Sequence, residues 1–478
     1  MRSPLIEVLP KPPGAAAAFE AIKDRPFSFF LDSGMDPGNL GRFSFIGSDP
    51  FLVLKSKGKR ISVGESGREA WRPGDPFDVL RSLLAKYSLD HSETPVPFNG
   101  GVVGYFSYDL CHLIERLPSR AIDDLQLPET CLGFYDIVAA FDNLQGRGYI
   151  ISTGFPETED TRRIGRAKER LAEFRSLIET AESGRRHEAL LVEAADHLKL
   201  CSNFARDEYI RAVQKAREYI IAGDVFQVNL SQRFETELKV PPYELYKRLR
   251  HVNPAPFACY FSTDDVIVAG SSPERFLHLS GDVVETRPIK GTRPRTSDPG
   301  ESEAMAMELL SSAKDRAENV MIVDLERNDL GRVCVYGSVK VKELAALERF
   351  PTVFHLTSTV TGRLRPGMDR IDLVRATFPG GSITGAPKVR SMEIIDELEP
   401  TRRSVYTGSV GYLGYDGRMD LNIVIRTFLI KGKRAYFQVG GGIVYDSKPD
   451  GEYQETLDKA RGLIAALKLA PQTAVEVA

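Results

Sequence analysis

The pattern of apolar residues changes once along the chain, and this change constrains the fold more than any other feature. Before about residue 110, short apolar runs such as 43–47 and 51–54 alternate with turn residues, which is typical of β-strands. From about residue 205, amphipathic segments such as 204–222 separate further strands. No period of roughly 20–50 residues repeats, which argues against a solenoid or a propeller. The sequence therefore predicts a mixed α/β or α+β body.

Composition and charge narrow the classes of protein. The 478 residues include 63 Lys and Arg against 66 Asp and Glu, so the basic footprint of a nucleic-acid-binding protein is missing. No apolar run approaches the roughly 18 residues that cross a bilayer, and residues 1–7 lack the pattern of a secretory signal. The five cysteines are scattered without a Cys-x-x-Cys spacing, which argues against a zinc site and fits a reducing compartment. We expect a cytoplasmic enzyme without a nucleic-acid or membrane partner.

One lysine lies in an unusual setting. Lys290 stands between Pro288-Ile289 and Gly291-Thr292, sixteen residues after Glu274. Proline and glycine constrain this backbone, which is not the solvated face of a helix. In a closed apolar cleft, burial would lower the pKa of the lysine and leave a neutral amine nucleophile, while a nearby carboxylic acid could protonate a leaving group. The alternative is an ordinary solvated surface lysine.

Two segments present paired carboxylates at helical spacing. Asp315 and Glu318 share a face of the predicted helical region 302–330, and Glu452, Glu455 and Lys459 share a face of the predicted last helix. Two such helices could hold one Mg²⁺, which keeps waters and takes its remaining ligands from an anionic substrate. The alternative is a pair of solvated helix faces with ordinary ion pairing.

Glycine clusters indicate places where a ligand can approach the backbone. The run 378–388 looks like a phosphate-binding loop but lacks the Gly-Lys-Ser/Thr ending, and its proline removes a backbone donor, so a nucleotide site is not expected. Its N–H groups and the Thr384 hydroxyl still suit a carboxylate. Gly440, Gly441 and Gly442 follow a predicted strand and permit close approach. Simple turn geometry explains both clusters equally well.

Two polar residues interrupt apolar runs. Arg426 lies in the predicted strand 421–428, and a buried guanidinium there needs an anionic partner such as a substrate carboxylate. His355 lies in the strand-like run 350–358, where a lone histidine is more often a satisfied core residue than a catalyst.

Taken together, these segments resemble the chorismate-utilising enzymes, and within that family component I of aminodeoxychorismate synthase. The N-terminal part is similar through residues 31–34, 41–44 and 98–109. The resemblance implies an α+β fold of layered, mainly antiparallel sheets surrounded by helices, as in anthranilate synthase component I. Six motifs carry the resemblance, in the family's order: 223–234, 272–276, 288–292, 315–319, 381–388 and 452–456.

The resemblance implies chorismate as substrate and Mg²⁺ as cofactor. It implies that Glu318 and Glu455 bind the metal, with Asp315 and Glu452 close by and acting partly through water. Lys290 would be the nucleophile, Glu274 the general acid, and His355 a neighbour of the reacting ring. The substrate-binding residues that it implies are Gln227, Thr292, Thr384, Tyr406, Arg426, Gly440, Gly441, Gly442 and Lys459. Relatives hold tryptophan in an N-terminal pocket, which here would involve Ser33, Arg42, Pro254, Pro256 and Phe257.

Branches of the family differ at two of these positions. Isochorismate and salicylate synthases carry a water-activating lysine where this chain has Gln227, and anthranilate synthase component I carries alanine where it has Lys290. The resemblance therefore implies an aminodeoxychorismate synthase component I of folate (4-aminobenzoate) biosynthesis. The alternatives are anthranilate synthase component I and a non-catalytic chorismate-binding protein. Asn319 departs from the family pattern, which commonly has histidine beside the metal ligand.

The same reasoning predicts a partner and four regions. No Gly-x-Cys-x-Gly nucleophile elbow occurs in the sequence, so ammonia is expected from a separate glutamine amidotransferase subunit. Residues 1–180 are predicted to form a strand-rich N-terminal region that carries the tryptophan pocket, and 205–467 the chorismate-binding catalytic region. Residues 181–204 are predicted to connect them, and 468–478 to form a tail.

Overall fold

The computed structural model describes most of the chain. The described residues are 2–36, 38, 40–64, 70–90, 93–182, 191–193, 198–296, 298–350 and 353–471. Among them, every helix is too short or too polar to cross a membrane.

Strands of three to eleven residues, together with two shorter pairings, make up the sheets. In chain order they are β1 Leu5–Leu9, β2 Phe29–Asp32, β3 Phe43–Gly47, β4 Leu52–Lys57, β5 Arg60–Gly64, β6 Trp71–Pro73, β7 Gly101–Phe106, β8 Thr130–Tyr135, β9 Ile137–Asp142, β10 Arg147–Ser152, β11 Leu191–Glu193, β12 Cys201–Ser202, β13 Gln227–Glu237, β14 Phe257–Ser262, β15 Ile267–Ser272, β16 Arg275–Ser280, β17 Val283–Arg287, β18 Ile289–Pro294, β19 Lys340–Arg349, β20 Val353–Arg363, β21 Gly385–Ala386, β22 Ser409–Gly414, β23 Met419–Asn422, β24 Thr427–Lys431, β25 Arg434–Ile443 and β26 Leu469–Pro471.

The helices lie mainly between and after these strands. They are α1 Ala15–Glu20, α2 Pro76–Lys86, α3 Asp160–Glu182, α4 Arg206–Ile221, α5 Pro242–Val252, α6 Pro299–Ser311, α7 Ala313–Gly331, α8 Arg370–Thr377, α9 Lys388–Leu398 and α10 Pro449–Lys468, with short 3-10 turns at Tyr108–Leu113 and Gly381–Ile383.

Two large antiparallel sheets form the body of the protein. Sheet A has the order β1-β10-β9-β3-β2-β14-β15-β24-β25-β13-β12, and sheet B has the order β18-β20-β17-β16-β23-β22-β7-β8-β4-β5-β6. β21 adds to β13, β19 adds to β20, and β11 pairs separately with β26. The pairings within the two sheets are antiparallel throughout the described strands. The predicted α+β fold with layered, mainly antiparallel sheets is confirmed.

The two sheets pack face to face through an aromatic core. Phe45 of β3 in sheet A lies 5.8 Å from Tyr412 of β22 in sheet B, and Phe98 stacks on the same tyrosine at 4.4 Å, between ring centroids. Helices α1, α3, α5 and α10 contact sheet A, while α2 and α7 contact sheet B. Strands such as β7 and β9 are buried along their whole length, because they are covered on both faces.

Both sheets combine strands from distant parts of the chain. β2 pairs with β14 in sheet A, and β7 pairs with β22 in sheet B. The predicted regions 1–180 and 205–467 therefore share their sheets. The predicted connector 181–204 and tail 468–478 lie partly outside the described residues, and the division into four regions stays a prediction.

Two predicted elements are each divided in the structure. The helical region 302–330 is confirmed, but it consists of two helices, because Ser312 ends α6 and its side chain caps α7 by accepting a hydrogen bond from the Asp315 N–H at 3.2 Å. The strand 421–428 is wrong. β23 stops at Asn422, and Arg426 has a φ of +54°, a left-handed conformation that a strand cannot contain.

Candidate active site

The predicted site residues gather where the ends of the two sheets meet α7 and α10. Lys290 and Thr292 lie on β18, at the edge of sheet B, and His355 lies on the neighbouring β20. α7 packs against both strands. Across from them are β25, α10 and the loop between α8 and α9, which we call the glycine loop (378–387).

The lysine and the proposed acid meet in this cleft. The Lys290 amine donates a hydrogen bond to the Ser382 carbonyl oxygen at 2.9 Å. Glu274, which follows β15, is only 4% exposed and interacts electrostatically with Lys290. Proximity of this kind is the first requirement for an amine and an acid that act in one reaction.

Burial changes the ionisation of both groups. It raises the pKa of Glu274 to about 7, against the opposing effects of a Ser382 hydrogen bond and the Lys290 charge. Lys290 is half-buried as a residue, but protein atoms surround its amine. That burial lowers the pKa of Lys290, while Glu318 opposes the shift. A protonated acid and a neutral amine can therefore coexist closer to neutral pH than their ordinary pKa values allow.

Two of the four predicted metal-binding carboxylates lie side by side on α10. A Cβ on Gly441 would lie 3.2 Å from Glu455 Oε1 and 3.3 Å from Glu452 Oε2, so this glycine makes room for both carboxylates. Glu318, on α7, interacts electrostatically with Glu455 on α10. Burial raises the pKa of Glu318 and of Glu452, whereas the ion pair with Lys459, at 2.7 Å, lowers the pKa of Glu455.

The donor set fits a divalent cation that keeps some of its own ligands. One oxygen of Glu452 accepts a hydrogen bond from Ser447 at 2.6 Å, but the other is buried without a partner. Among the described residues, no three His, Cys, Asp or Glu side chains come close enough to form a complete cation site. Mg²⁺ suits such a place, because it binds few protein carboxylates and retains waters or substrate oxygens.

Asp315 has a different local role from its neighbours. Its carboxylate pairs with Arg293 at 3.0 Å, and it forms part of the first turn of α7. Glu318 is one helical turn further along, and its ion pair with Lys314 is longer, at 3.9 Å. Of the two predicted metal-binding carboxylates on α7, Glu318 is therefore the less tightly paired one.

His355 is held as a neutral side chain. Its Nδ1 lies 2.8 Å from the Thr292 hydroxyl, directly across the β18–β20 ladder. Burial and, to a smaller extent, the Arg426 charge lower the pKa of His355 to about 3. Neutral imidazole can position a ring or share a proton, but it does not supply a positive charge to the cleft.

Arg426 is the strongest sign of an anionic ligand. Its guanidinium makes no ion pair with any described residue, and burial lowers its pKa although nearby Tyr406 opposes the shift. Tyr406 is itself buried, which raises its pKa. Arg426 is half-buried as a residue, and a guanidinium that is partly removed from water without an ion pair is stabilised when a ligand supplies the negative charge. A carboxylate would do so, with two parallel hydrogen bonds.

Glycines of β25 shape the opposite wall. A Cβ on Gly442 would lie 1.9 Å from the amide nitrogen of Gln227, so only glycine fits beside that side chain. The Gln227 amide is fully buried, with neither its nitrogen nor its oxygen hydrogen-bonded among the described residues. Lys459 donates to the Gly440 carbonyl at 2.8 Å. Gly440, Gly441 and Gly442 therefore lie within β25, not in a turn that follows it, and they leave room for these side chains.

The sequence did not predict two residues beside the cleft, Ser382 and Glu326. It did predict Thr384, but the hydroxyl of Thr384 hydrogen-bonds within the glycine loop. The predicted hydroxyl of Thr384 is buried and donates to the Gly380 carbonyl at 3.0 Å. Ser382, two residues earlier, instead contacts Lys290 and Glu274. Behind the loop, Glu326 accepts a hydrogen bond from the Gly381 N–H at 3.0 Å. The sequence gives no signal for Glu326, because polar residues are spread around most of the circumference of α7.

Most of the residues that are predicted to bind a tryptophan ligand line a separate cavity of about 200 Å³ between the two sheets. Ser33, Arg42, Pro256 and Phe257 line it, whereas Pro254 is not among its lining residues. Arg42 pairs with Asp142 at 2.8 Å. The cavity also includes Asp32, one of whose oxygens is buried without a hydrogen bond.

Known proteins are similar to this chain in sequence and in fold. The family described as chorismate binding enzyme matches residues 27–465. The chain is 40% identical to aminodeoxychorismate synthase component 1 of Bacillus subtilis, covering 90% of each chain. It is also 40% identical to anthranilate synthase component 1 of Pseudomonas aeruginosa, covering 95% of this chain and 92% of that one.

A solved structure supports the same assignment. The crystal structure of anthranilate synthase component I from Streptococcus pneumoniae matches with a TM-score of 0.77 and 33% identity, over 88% of this chain and 92% of that one. The family match covers the whole cleft, sheet B, and sheet A except for its edge strand β1. The resemblance inferred from the sequence is confirmed, and the chain belongs to the chorismate-binding enzymes and is a chorismate-utilising enzyme.

Proposed function

We propose that the chain is aminodeoxychorismate synthase component I, which converts chorismate and ammonia to 4-amino-4-deoxychorismate in folate biosynthesis. The observation that carries the proposal is Lys290, whose amine points to the Ser382 carbonyl beside the buried Glu274. An amine placed next to a protonated acid suits a displacement in two stages.

In the first stage, the neutral Lys290 amine attacks C2 of chorismate. Both ring double bonds shift, from C1=C2 and C5=C6 to C1=C6 and C4=C5, the C4–oxygen bond breaks, and Glu274 gives its proton so that the hydroxyl leaves as water. In the second stage, ammonia attacks C4, both double bonds shift back, and the lysine leaves C2 with the electrons of its carbon–nitrogen bond. Glu274 takes up a proton released by the incoming nitrogen. The lysine and the acid are thereby restored.

The remaining residues bind and orient the substrate in this proposal. Arg426 and Tyr406 hold one carboxylate, and Lys459 lies on the other side of the cleft. A bound Mg²⁺, held by Glu318 and Glu455 with Glu452 nearby, would neutralise a substrate carboxylate. Thr292 and His355 lie beside Lys290, where they border the reacting ring.

Ammonia is proposed to come from a separate glutamine amidotransferase subunit. The relatives at 40% identity carry the names of component 1 proteins. We also propose tryptophan as the ligand of the cavity between the sheets, which Ser33, Arg42, Pro256 and Phe257 line.

The product of the ammonia reaction tests the proposal. The purified chain is incubated with chorismate, Mg²⁺ and ammonium chloride at raised pH, and the products are separated by liquid chromatography and mass spectrometry. We expect aminodeoxychorismate without release of pyruvate. Fluorescent anthranilate together with pyruvate would reject the proposal in favour of anthranilate synthase. A reaction without ammonium is the control, and isochorismate formed there would show that water is the nucleophile.

A further inference from the structure

A buried glutamate of α7 lies directly behind the glycine loop. Glu326 is only 2% exposed, and the nearby Lys388 forms its ion pair with Asp329 instead. The two carboxylate oxygens of Glu326 accept hydrogen bonds from the Gly381 N–H at 3.0 Å and from the Thr286 hydroxyl at 3.4 Å. A buried carboxylate is costly unless its oxygens are satisfied, so these two contacts account for the place of Glu326 in the structure.

The two segments that Glu326 joins also carry the hydrogen bond of the Lys290 amine. Thr286 lies on β17, four residues before Lys290 in the chain. Gly381 immediately precedes Ser382, whose carbonyl oxygen accepts the hydrogen bond from Lys290 Nζ at 2.9 Å. Each residue has only two soft backbone dihedrals, so a shift of the Gly381 N–H displaces the carbonyl of the next residue with it.

The loop approaches α7 closely at Gly381 and is held again just after Ser382. A Cβ on Gly381 would lie 3.0 Å from Glu326 Oε1 and 2.7 Å from the preceding leucine, so a larger residue would push the loop away from the helix. On the other side, the buried Arg403 guanidinium donates to the Ile383 carbonyl at 3.0 Å. The residues before and after Ser382 are therefore each held by a buried charged side chain.

We propose that Glu326 is a positioning residue, which holds the glycine loop so that the Ser382 carbonyl aims the Lys290 amine into the cleft. The role in turnover rests on the proposed function. Fixing the direction of a nucleophile lowers the barrier through proximity and orientation, and a displacement of about 1 Å can cost on the order of 100-fold in rate. Glu326 acts here as a hydrogen-bond acceptor, so neither its charge nor its proton takes part in the reaction.

Three substitutions separate the contact from the charge. Glu326→Met fills a similar space without a strong acceptor, whereas Glu326→Gln keeps an oxygen for the Gly381 N–H and removes the charge. Gly381→Ala breaks the same contact from the side of the loop, and it carries the test if Glu326→Met does not fold. Glu129→Met is the matched control, because Glu129 is a buried glutamate that accepts a glycine N–H, that of Gly58 at 2.8 Å, outside the cleft.

Two measurements follow the loop and the reaction separately, and thermal unfolding checks that each variant is folded. Hydrogen–deuterium exchange without substrate, read by mass spectrometry on peptides that cover 378–387, reports how firmly the loop is held. Initial rates of chorismate consumption with ammonium and Mg²⁺ give kcat and KM, whichever product forms.

We expect the loop amides to exchange about tenfold faster in Glu326→Met and Gly381→Ala. In the same variants kcat should fall about tenfold while KM stays within about twofold, because the contact aims the nucleophile and does not bind the substrate. Glu326→Gln and Glu129→Met should match the wild type in both measurements.

Wild-type exchange or wild-type kcat in folded Glu326→Met and Gly381→Ala would overturn the proposal. A loss of kcat in Glu326→Gln with normal loop exchange would also overturn it, and would indicate instead a proton shared with Glu274, with which Glu326 interacts electrostatically. Neither measurement depends on the identity of the product. Formation of anthranilate with pyruvate would therefore reject the proposed function and leave this comparison intact.

Discussion

The cleft and the cavity between the sheets use charge in opposite ways. In the cavity, the cationic side chains are already paired. Arg42 pairs with Asp142 at 2.8 Å, and Arg275 pairs with Asp420 at 3.0 Å. In the cleft, Arg426 has no ionic partner among the described residues, and Glu274 is buried with a raised pKa.

Under the proposed function, this difference distinguishes a cavity that would bind a ligand from a cleft that would convert one. A charged side chain that is already paired is stable without a ligand, and it can donate one further hydrogen bond when a ligand binds. Unpaired buried charges cost stability in the free protein, and the cost is recovered when an oppositely charged ligand binds. Groups with displaced pKa values concentrate at reactive sites for the same reason.

The largest expected effect tests whether the cleft is reactive at all. Lys290→Ala removes the proposed nucleophile, so formation of aminodeoxychorismate from ammonia should fall by on the order of 10⁴-fold. The product is measured by liquid chromatography with saturating chorismate. Lys215→Ala, an exposed lysine paired with Glu218, should retain full activity. Full turnover by Lys290→Ala would contradict the covalent route.

The next effect tests the buried acid. Glu274→Gln keeps the shape of the side chain but cannot give a proton, so kcat/KM should drop about 10³-fold. In the wild type, burial raises the pKa of Glu274 to about 7, so the protonated form needed for catalysis is lost as the pH rises through that value. The limb of the pH profile near 7 should be missing in Glu274→Gln. Glu303→Gln, at an exposed pair with Arg349, is the control, and an unaltered profile in Glu274→Gln would assign the acid elsewhere.

A third effect concerns the carboxylates of α7 and α10. Glu455→Gln removes a proposed ligand, so the affinity for Mg²⁺ should weaken about 100-fold. Isothermal titration calorimetry with Mg²⁺ alone measures it independently of turnover. Asp324→Asn changes an exposed carboxylate of α7 that pairs with Arg327 and should leave the affinity unaltered. Equal affinities for Glu455→Gln and wild type would place the metal outside this cluster.

The smallest effect belongs to the cavity. Arg42 gives two hydrogen bonds to Asp142 but is still partly exposed, so it can add one bond to a ligand carboxylate. Arg42→Ala should weaken tryptophan binding about tenfold and leave chorismate turnover within about twofold. Calorimetry with tryptophan checks the first point. Arg363→Ala, which breaks an exposed pair with Asp282, is the matched control, and tryptophan binding unaffected by Arg42→Ala would move that ligand to another place.

Periodicity made part of the cleft predictable. Side chains three and four residues apart share a helix face, so the spacing of Glu452, Glu455 and Lys459 was enough to predict their common direction. The proline and glycine around Lys290 likewise predicted a constrained backbone. The family resemblance was needed to bring these segments together, because nothing in local spacing says that α7 faces α10.

Other features leave no mark on the sequence. Arg426 is flanked by strand formers, yet tertiary contacts hold it in a left-handed conformation that local propensity opposes. Ser382 contacts Lys290 through its backbone carbonyl oxygen, an atom that every residue type carries. Glu326 looks like one more charge on a polar helix until packing reveals it as 2% exposed.

The pairing of β7 with β22 has a consequence for how the protein is made. β7 ends at Phe106, but its partner β22 begins only at Ser409. β7 also pairs with β8, which follows soon after it in the chain. A ribosome adds about 5–20 residues per second, so one edge of this apolar strand stays unpaired in the nascent chain for roughly tens of seconds. Molecular chaperones that cover such edges should matter for its yield. For the same reason, a gene cut in two at the connector should give fragments that fold only when both are present.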